Sequence, residues 1–64
     1  MVKVNGEYLN IDGKTVTEYL KDARYDPKRV AVERNGDIVP ADKYDGIALC
    51  DGDEIEIVSF VGGG

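Results

Sequence analysis

The sequence predicts an α+β fold of two layers, a mixed sheet with one main helix packed on one face, in the order ββαββ. Three observations predict it. Two stretches, one near the N-terminus and one around Asn35-Gly36, alternate apolar and polar residues on either side of a turn signal. One amphipathic helical stripe lies between them. The clearest strand of the chain, Glu54 to Phe60, comes last.

The elements follow in order. Val2 to Asn5 alternates with the two-residue period of a half-buried strand. Gly6-Glu7 supplies a turn, and Tyr8-Leu9-Asn10-Ile11 resumes the alternation with Leu9 and Ile11 on one side, completing a hairpin. Asp12-Gly13 breaks the strand, and Thr15-Val16-Thr17-Glu18 opens a helix as a capping box. There the Thr15 hydroxyl accepts from a first-turn amide and Glu18 reaches back to the Thr15 amide. Val16, Tyr19, Leu20 and Ala23 then fall at i, i+3, i+4 and i+7, one stripe of a helix over residues 16–24. Asp26-Pro27 ends it and starts a loop.

Val30 to Arg34 is rich in β-branched residues and runs into Asn35-Gly36, the strongest short hairpin signal, because both residues tolerate positive φ. Asp37-Ile38-Val39 is the return strand, stopped by Pro40. Ala41 to Gly46 is a polar connection with room for one helical turn. Ile47-Ala48-Leu49-Cys50 is a short apolar approach and Asp51-Gly52-Asp53 a turn. In the final strand the alternation sends Ile55 and Ile57 to the core. The chain thus divides into a folded domain, residues 1–60, and a flexible tail, residues 61–64.

Composition narrows the function. Sixty-four residues make one domain at most, and a chain this short buries only about 60% of the surface its unfolded form exposes. The chain has no histidine and one cysteine, so the commonest general base is missing and neither an intrachain disulfide nor a cysteine zinc cluster can form. These absences argue against a self-sufficient enzyme. Thirteen acidic against eight basic residues give a net charge of −5. Nucleic acid is therefore not the expected partner, whereas a protein with a basic docking surface is. No apolar run approaches the roughly 20 residues of a membrane span, and Met1 to Asn5 enters the strand pattern with no signal-peptide core. With a free thiol, the expected location is the cytoplasm.

Val61-Gly62-Gly63-Gly64 carries the chemistry. Folding gains nothing from three terminal glycines, which cost the most backbone entropy to order. Fully extended, four residues reach about 13–14 Å, enough to enter a partner's cleft while the body stays outside. Without Cβ atoms the tail passes a narrow channel, and reagents reach the Gly64 carboxylate from either side. Such an end suits a protein whose own α-carboxylate reacts. A frayed end or an engineered scar is the competing reading of the glycines alone.

Four stretches carry a resemblance: Val4-Asn5-Gly6, Val32-Glu33-Arg34-Asn35, Cys50 through Val58, and Phe60-Val61-Gly62-Gly63-Gly64. Together they resemble the ThiS-type sulfur carriers of thiamin (thiazole) biosynthesis, ubiquitin-like proteins, over essentially the full length. A Gly-Gly end is shared by all ubiquitin-like carriers; the Asp51-Gly52-Asp53 to Gly64 ending is much more specific. The resemblance implies the ubiquitin-like β-grasp, with the last strand inserted between the two hairpins. It also implies that a ThiF-like adenylyltransferase, using ATP and Mg²⁺, converts the Gly64 carboxylate to an acyl adenylate. A cysteine-derived sulfur donor then yields a thiocarboxylate, whose sulfur passes to a ThiG-like thiazole synthase. Gly64 is then the covalent site, Gly62 and Gly63 its access tether, and the chain binds no cofactor itself. The alternatives are a small subunit of molybdopterin synthase (MoaD-like), and a ubiquitin-like modifier or binding module without sulfur chemistry.

Other residues are weighed by their setting. Cys50, with no basic neighbour in sequence, is expected to pack in the core as a small hydrophobe. Val58 and Phe60 share a strand face with Glu54 and Glu56, and with Val61 form a candidate docking patch for the partner enzymes. Phe60 folding over the sheet edge, or a bulge reversing the alternation, are the structural alternatives. Asp51-Gly52-Asp53-Glu54 lacks the ligand ladder of a calcium loop and reads as a solvated turn. Asp37, Asp42 and Asp45 read as surface charges, and Ser59 has no histidine to activate it.

Overall fold

Asn-Gly turns frame both hairpins in the structure, a computed structural model that describes residues 1–60. Asn5 and Gly6 have φ of 49° and 86°, and Asn35 and Gly36 of 52° and 89°. With Val4 opposite Glu7 and Arg34 opposite Asp37, each is a two-residue loop with both central residues left-handed, which suits the twist of the flanking strands. The first turn therefore sits one residue earlier than Gly6-Glu7. Asn5 tolerates the left-handed region better than most residues that carry a side chain, and Glu7 is left free to pair.

The strands are β1 (Val2–Val4), β2 (Glu7–Leu9), β3 (Val30–Arg34), β4 (Asp37–Val39) and β5 (Glu54–Ser59). Their order across the sheet is β2-β1-β5-β3-β4. β5 runs parallel to β1 and antiparallel to β3, so the last strand joins the two hairpins.

Helix α1 (Val16–Asp22) begins on the capping box, with the Glu18 amide donating to Thr15 Oγ1 at 3.1 Å and the Thr15 amide to Glu18 Oε1 at 2.8 Å. It stops before residue 24. The Tyr25 amide returns to the Leu20 carbonyl at 2.8 Å and the Arg24 amide to that of Lys21 at 3.1 Å, a Schellman ending. Arg24 occupies its left-handed position at φ 64°, where glycine is usual. Of the expected stripe, Val16 and Leu20 are buried and Tyr19 half-buried, but Ala23 is exposed because it caps the shortened helix. Two 3₁₀ turns flank the second hairpin. Ala41–Lys43 is the helical turn allowed for in the polar connection; Pro27–Arg29, begun by the Asp26 carboxylate accepting from the Lys28 amide at 2.9 Å, is additional.

The core lies between α1 and one sheet face. Val2, Val4, Val30, Val32, Val39, Ile55 and Ile57 meet Val16 and Leu20, with Leu49 and Tyr44 closing the sides. Burying Leu20 completely contributes on the order of 2–3 kcal/mol. Tyr44, within the stretch read as polar, is 5% exposed, and its hydroxyl donates to the Val30 carbonyl at 3.5 Å.

Two readings around the entry to β5 are corrected. Asp53 is 7% exposed, so the turn is not simply solvated. Its carboxylate accepts from the Cys50 amide at 2.9 Å, Asn35 Nδ2 at 3.1 Å and Arg34 Nε at 3.0 Å. Cys50 is exposed, not packed in the core. The bond from its amide to Asp53 closes the turn and leaves the core position to Leu49, while Arg34 Nη2 lies 3.8 Å from the outward sulfur.

Candidate functional site

The candidate site is the end of β5, from which the C-terminal residues depart. The β3–β5 ladder runs unbroken from Arg34 opposite Ile55 to Val30 opposite Ser59, so no bulge reverses the alternation. The Phe60 amide then donates to the Arg29 carbonyl at 2.7 Å, pinning the last described residue to the body. Phe60 is 55% exposed and Val58 57%, so the ring does not fold away over the sheet edge. Ser59 is exposed as well, since the core layer ends with Ile57 and Val30. Val61, Gly62, Gly63 and Gly64, read from sequence as patch, tether and covalent site, lie outside the described residues.

Both turn asparagines grip β5. Asn5 Oδ1 accepts from the Ile57 amide at 2.8 Å, Asn5 Nδ2 donates to the Ile57 carbonyl at 3.2 Å, and the Asn5 amide donates to the Ile55 carbonyl at 2.9 Å. The side chain thus continues the ladder two residues beyond the point where β1 ends. On the other flank, Asn35 Oδ1 accepts from the Glu54 amide at 2.9 Å. Neither asparagine stood out as a functional support in the sequence, where both read as turn or strand ends.

At the start of β5 the Asp53 carboxyl is held below its usual range. Burial pushes it up, but hydrogen bonds from the Cys50 amide, Asn35 and Arg34, together with the Arg34 charge, more than offset that. This network fixes the near end of β5 as the Asn5 clamp fixes its middle.

The sheet face away from α1 is uncovered. Its middle is acidic, with Glu33 directly opposite Glu56 and Glu54 further along β5. Ile38, 73% exposed, lies opposite Glu33, and Val58 lies opposite Ala31. At the far margin the Lys3 ammonium sits 5.6 Å from the centre of the Tyr8 ring. Like charges opposed on one face repel, so a cationic surface laid on it gains by relieving them. Among the described residues no three Cys, Asp or Glu converge as a metal site. No helix among them is long and apolar enough to cross a membrane.

A five-stranded mixed sheet closed by a central last strand, with one main helix across it, is a ubiquitin-like β-grasp. The ThiS family model matches residues 2–64, and the chain belongs to that family. It is 41% identical to the sulfur carrier protein ThiS of Bacillus subtilis (strain 168), with 100% of both chains covered. It is also 47% identical to part of a thiazole synthase of Paramagnetospirillum magneticum, covering 95% of this chain but only 19% of that protein. Among solved structures, the crystal structure of a thiamine biosynthesis protein (ThiS) from Geobacter metallireducens superposes with a TM-score of 0.78 at 31% identity, over 98% of this chain and 97% of that one.

Proposed function

We propose that this chain is a sulfur carrier for thiazole formation in thiamin biosynthesis, a protein co-substrate worked on by other enzymes in the cytoplasm. Its Gly64 carboxylate is the reacting group, and Gly62 and Gly63 are the tether that delivers it. A ThiF-like adenylyltransferase, which itself holds ATP and Mg²⁺, joins the carboxylate to AMP and releases pyrophosphate. Sulfur from a cysteine-derived persulfide displaces AMP, and two-electron reduction of the resulting S–S bond by a thiol leaves the thiocarboxylate. A carboxylate is a poor electrophile, so adenylation supplies the leaving group that sulfur needs.

The observation that carries this reading is the family match, which runs through residue 64 and so includes the glycine end. The pinned, exposed Phe60 agrees with it, because the residues that follow start from the surface of a fixed body. A thiazole synthase partner is supported by the occurrence of a like segment within proteins named thiazole synthase. Val58, Phe60 and Val61 are the patch on which the partners dock.

Intact mass after incubation with a ThiF-like enzyme, ATP, Mg²⁺ and a sulfur donor tests the proposal. The expected shift equals the exchange of one oxygen for sulfur, and deleting Gly64 abolishes it without unfolding the domain. Attachment to lysine side chains instead marks a modifier, and an unchanged mass with a competent enzyme marks a binding module.

A further inference from the structure

Main-chain groups alternate sides along β5. Bonds from Asn35 to Glu54 and from Phe60 to Arg29, with Glu56 and Val58 in register between them, turn the even-numbered residues toward β3. The odd-numbered residues face β1. The carbonyls of Asp53 and Ile55 accept from the Lys3 and Asn5 amides, and both main-chain groups of Ile57 are taken by the Asn5 side chain. Ser59 is next in this series. By then β1 has ended at Val4, and Asn5-Gly6 has carried the chain back into β2. Among the described residues, the Ser59 amide and carbonyl have no hydrogen-bond partner on that side. Ser59 is exposed and borders the residues that lead to Gly64.

We propose that this open step beside Ser59 receives an extended segment of the adenylating enzyme, paired main chain to main chain, as that enzyme takes in the C-terminal residues. Addition of a strand to an open edge supplies affinity through amides and carbonyls alone. The step offers one donor and one acceptor, far short of the roughly 1,000 Å² that a stable dimer buries. Two copies, each with a charge of −5, also repel. Its occupant is therefore a protein held mainly by other contacts, and the enzyme that grips the tail is such a protein. The choice of partner rests on the carrier reading above.

Amide hydrogen exchange on the ¹⁵N-labelled full chain, alone and with a ThiF-like adenylyltransferase, tests this. Alone, the Ser59 amide exchanges quickly and that of Ile57 slowly; in the complex Ser59 slows several-fold, up to about tenfold for one added hydrogen bond. Ser59→Pro removes a donor that points out of the sheet, where proline is tolerated. It keeps the fold and lowers kcat/KM for adenylation several-fold, up to about tenfold. A complex in which Ser59 exchanges as in the free chain overturns the proposal, as does failure of the enzyme to bind. Protection that appears in concentrated samples without enzyme assigns the step to a second copy and overturns it too. Ser59 protected in a complex that never adenylates Gly64 keeps the step and defeats the carrier reading. Should Ser59→Pro not fold, exchange in the unmodified chain decides.

Discussion

The side-chain amide of Asn5 takes both main-chain groups of Ile57, 52 residues away, as another strand would. A residue at the tip of the first hairpin thereby fixes the line along which the last strand runs toward the C-terminus. Asn5→Gly keeps the left-handed turn and removes only the clamp, at an expected cost of about 1–3 kcal/mol. Asn5→Ala adds the strain of a left-handed alanine, about 1 kcal/mol more. Urea denaturation of the two variants separates the contributions.

Asp53 makes stability depend on acid. Its folded-state carboxyl is held below the usual value, so its contribution is fully present above the unfolded pKa and fades as pH falls through the folded one. Asp53→Asn is expected to cost about 1–3 kcal/mol at about pH 7 and less at an acidic pH, as the folded-state carboxyl takes up its proton. Denaturation curves at the two pH values measure the difference.

Arg24 holds a left-handed conformation at the helix end that glycine adopts without strain. Arg24→Gly is expected to raise stability by up to about 1 kcal/mol, seen as a higher melting temperature.

Phe60→Ala removes an exposed ring while leaving the bond from the residue 60 amide to Arg29 in place. The melting temperature should hold, and affinity for the adenylating enzyme should fall about tenfold, the loss of a modest apolar contact. Titration calorimetry measures the second, and an unchanged affinity removes Phe60 from the docking surface.

Local chemistry made much of the fold legible. The capping box, the strand from Val30 to Arg34, the Asn35-Gly36 turn and the inward Ile55 and Ile57 all stand where their patterns put them. Asn5-Gly6 carries the same signal as Asn35-Gly36, but the alternation of Val2 to Asn5 masked it by extending the strand one residue too far. The burial of Asp53 has no local signal, because its partners Asn35 and Arg34 lie 18 and 19 residues away and only the tertiary fold brings them to it. Between Leu49 and Cys50 no periodicity settles which faces inward; the bond from the Cys50 amide to Asp53 does. The grip of both turns on β5 is a product of topology and has no local signature.

The place of β5 in the sheet also bears on how the molecule is made. In the strand order the two hairpins meet only through β5, the last of the elements to be synthesised. Before it emerges, each hairpin is a short ribbon with an unpaired edge, too small to hold its shape alone. A nascent chain broken off ahead of Glu54 therefore lacks the strand that would join its hairpins into one sheet. Folding itself acts as an inspection step: a copy that has gained its structure has been translated through the strand that joins its two hairpins.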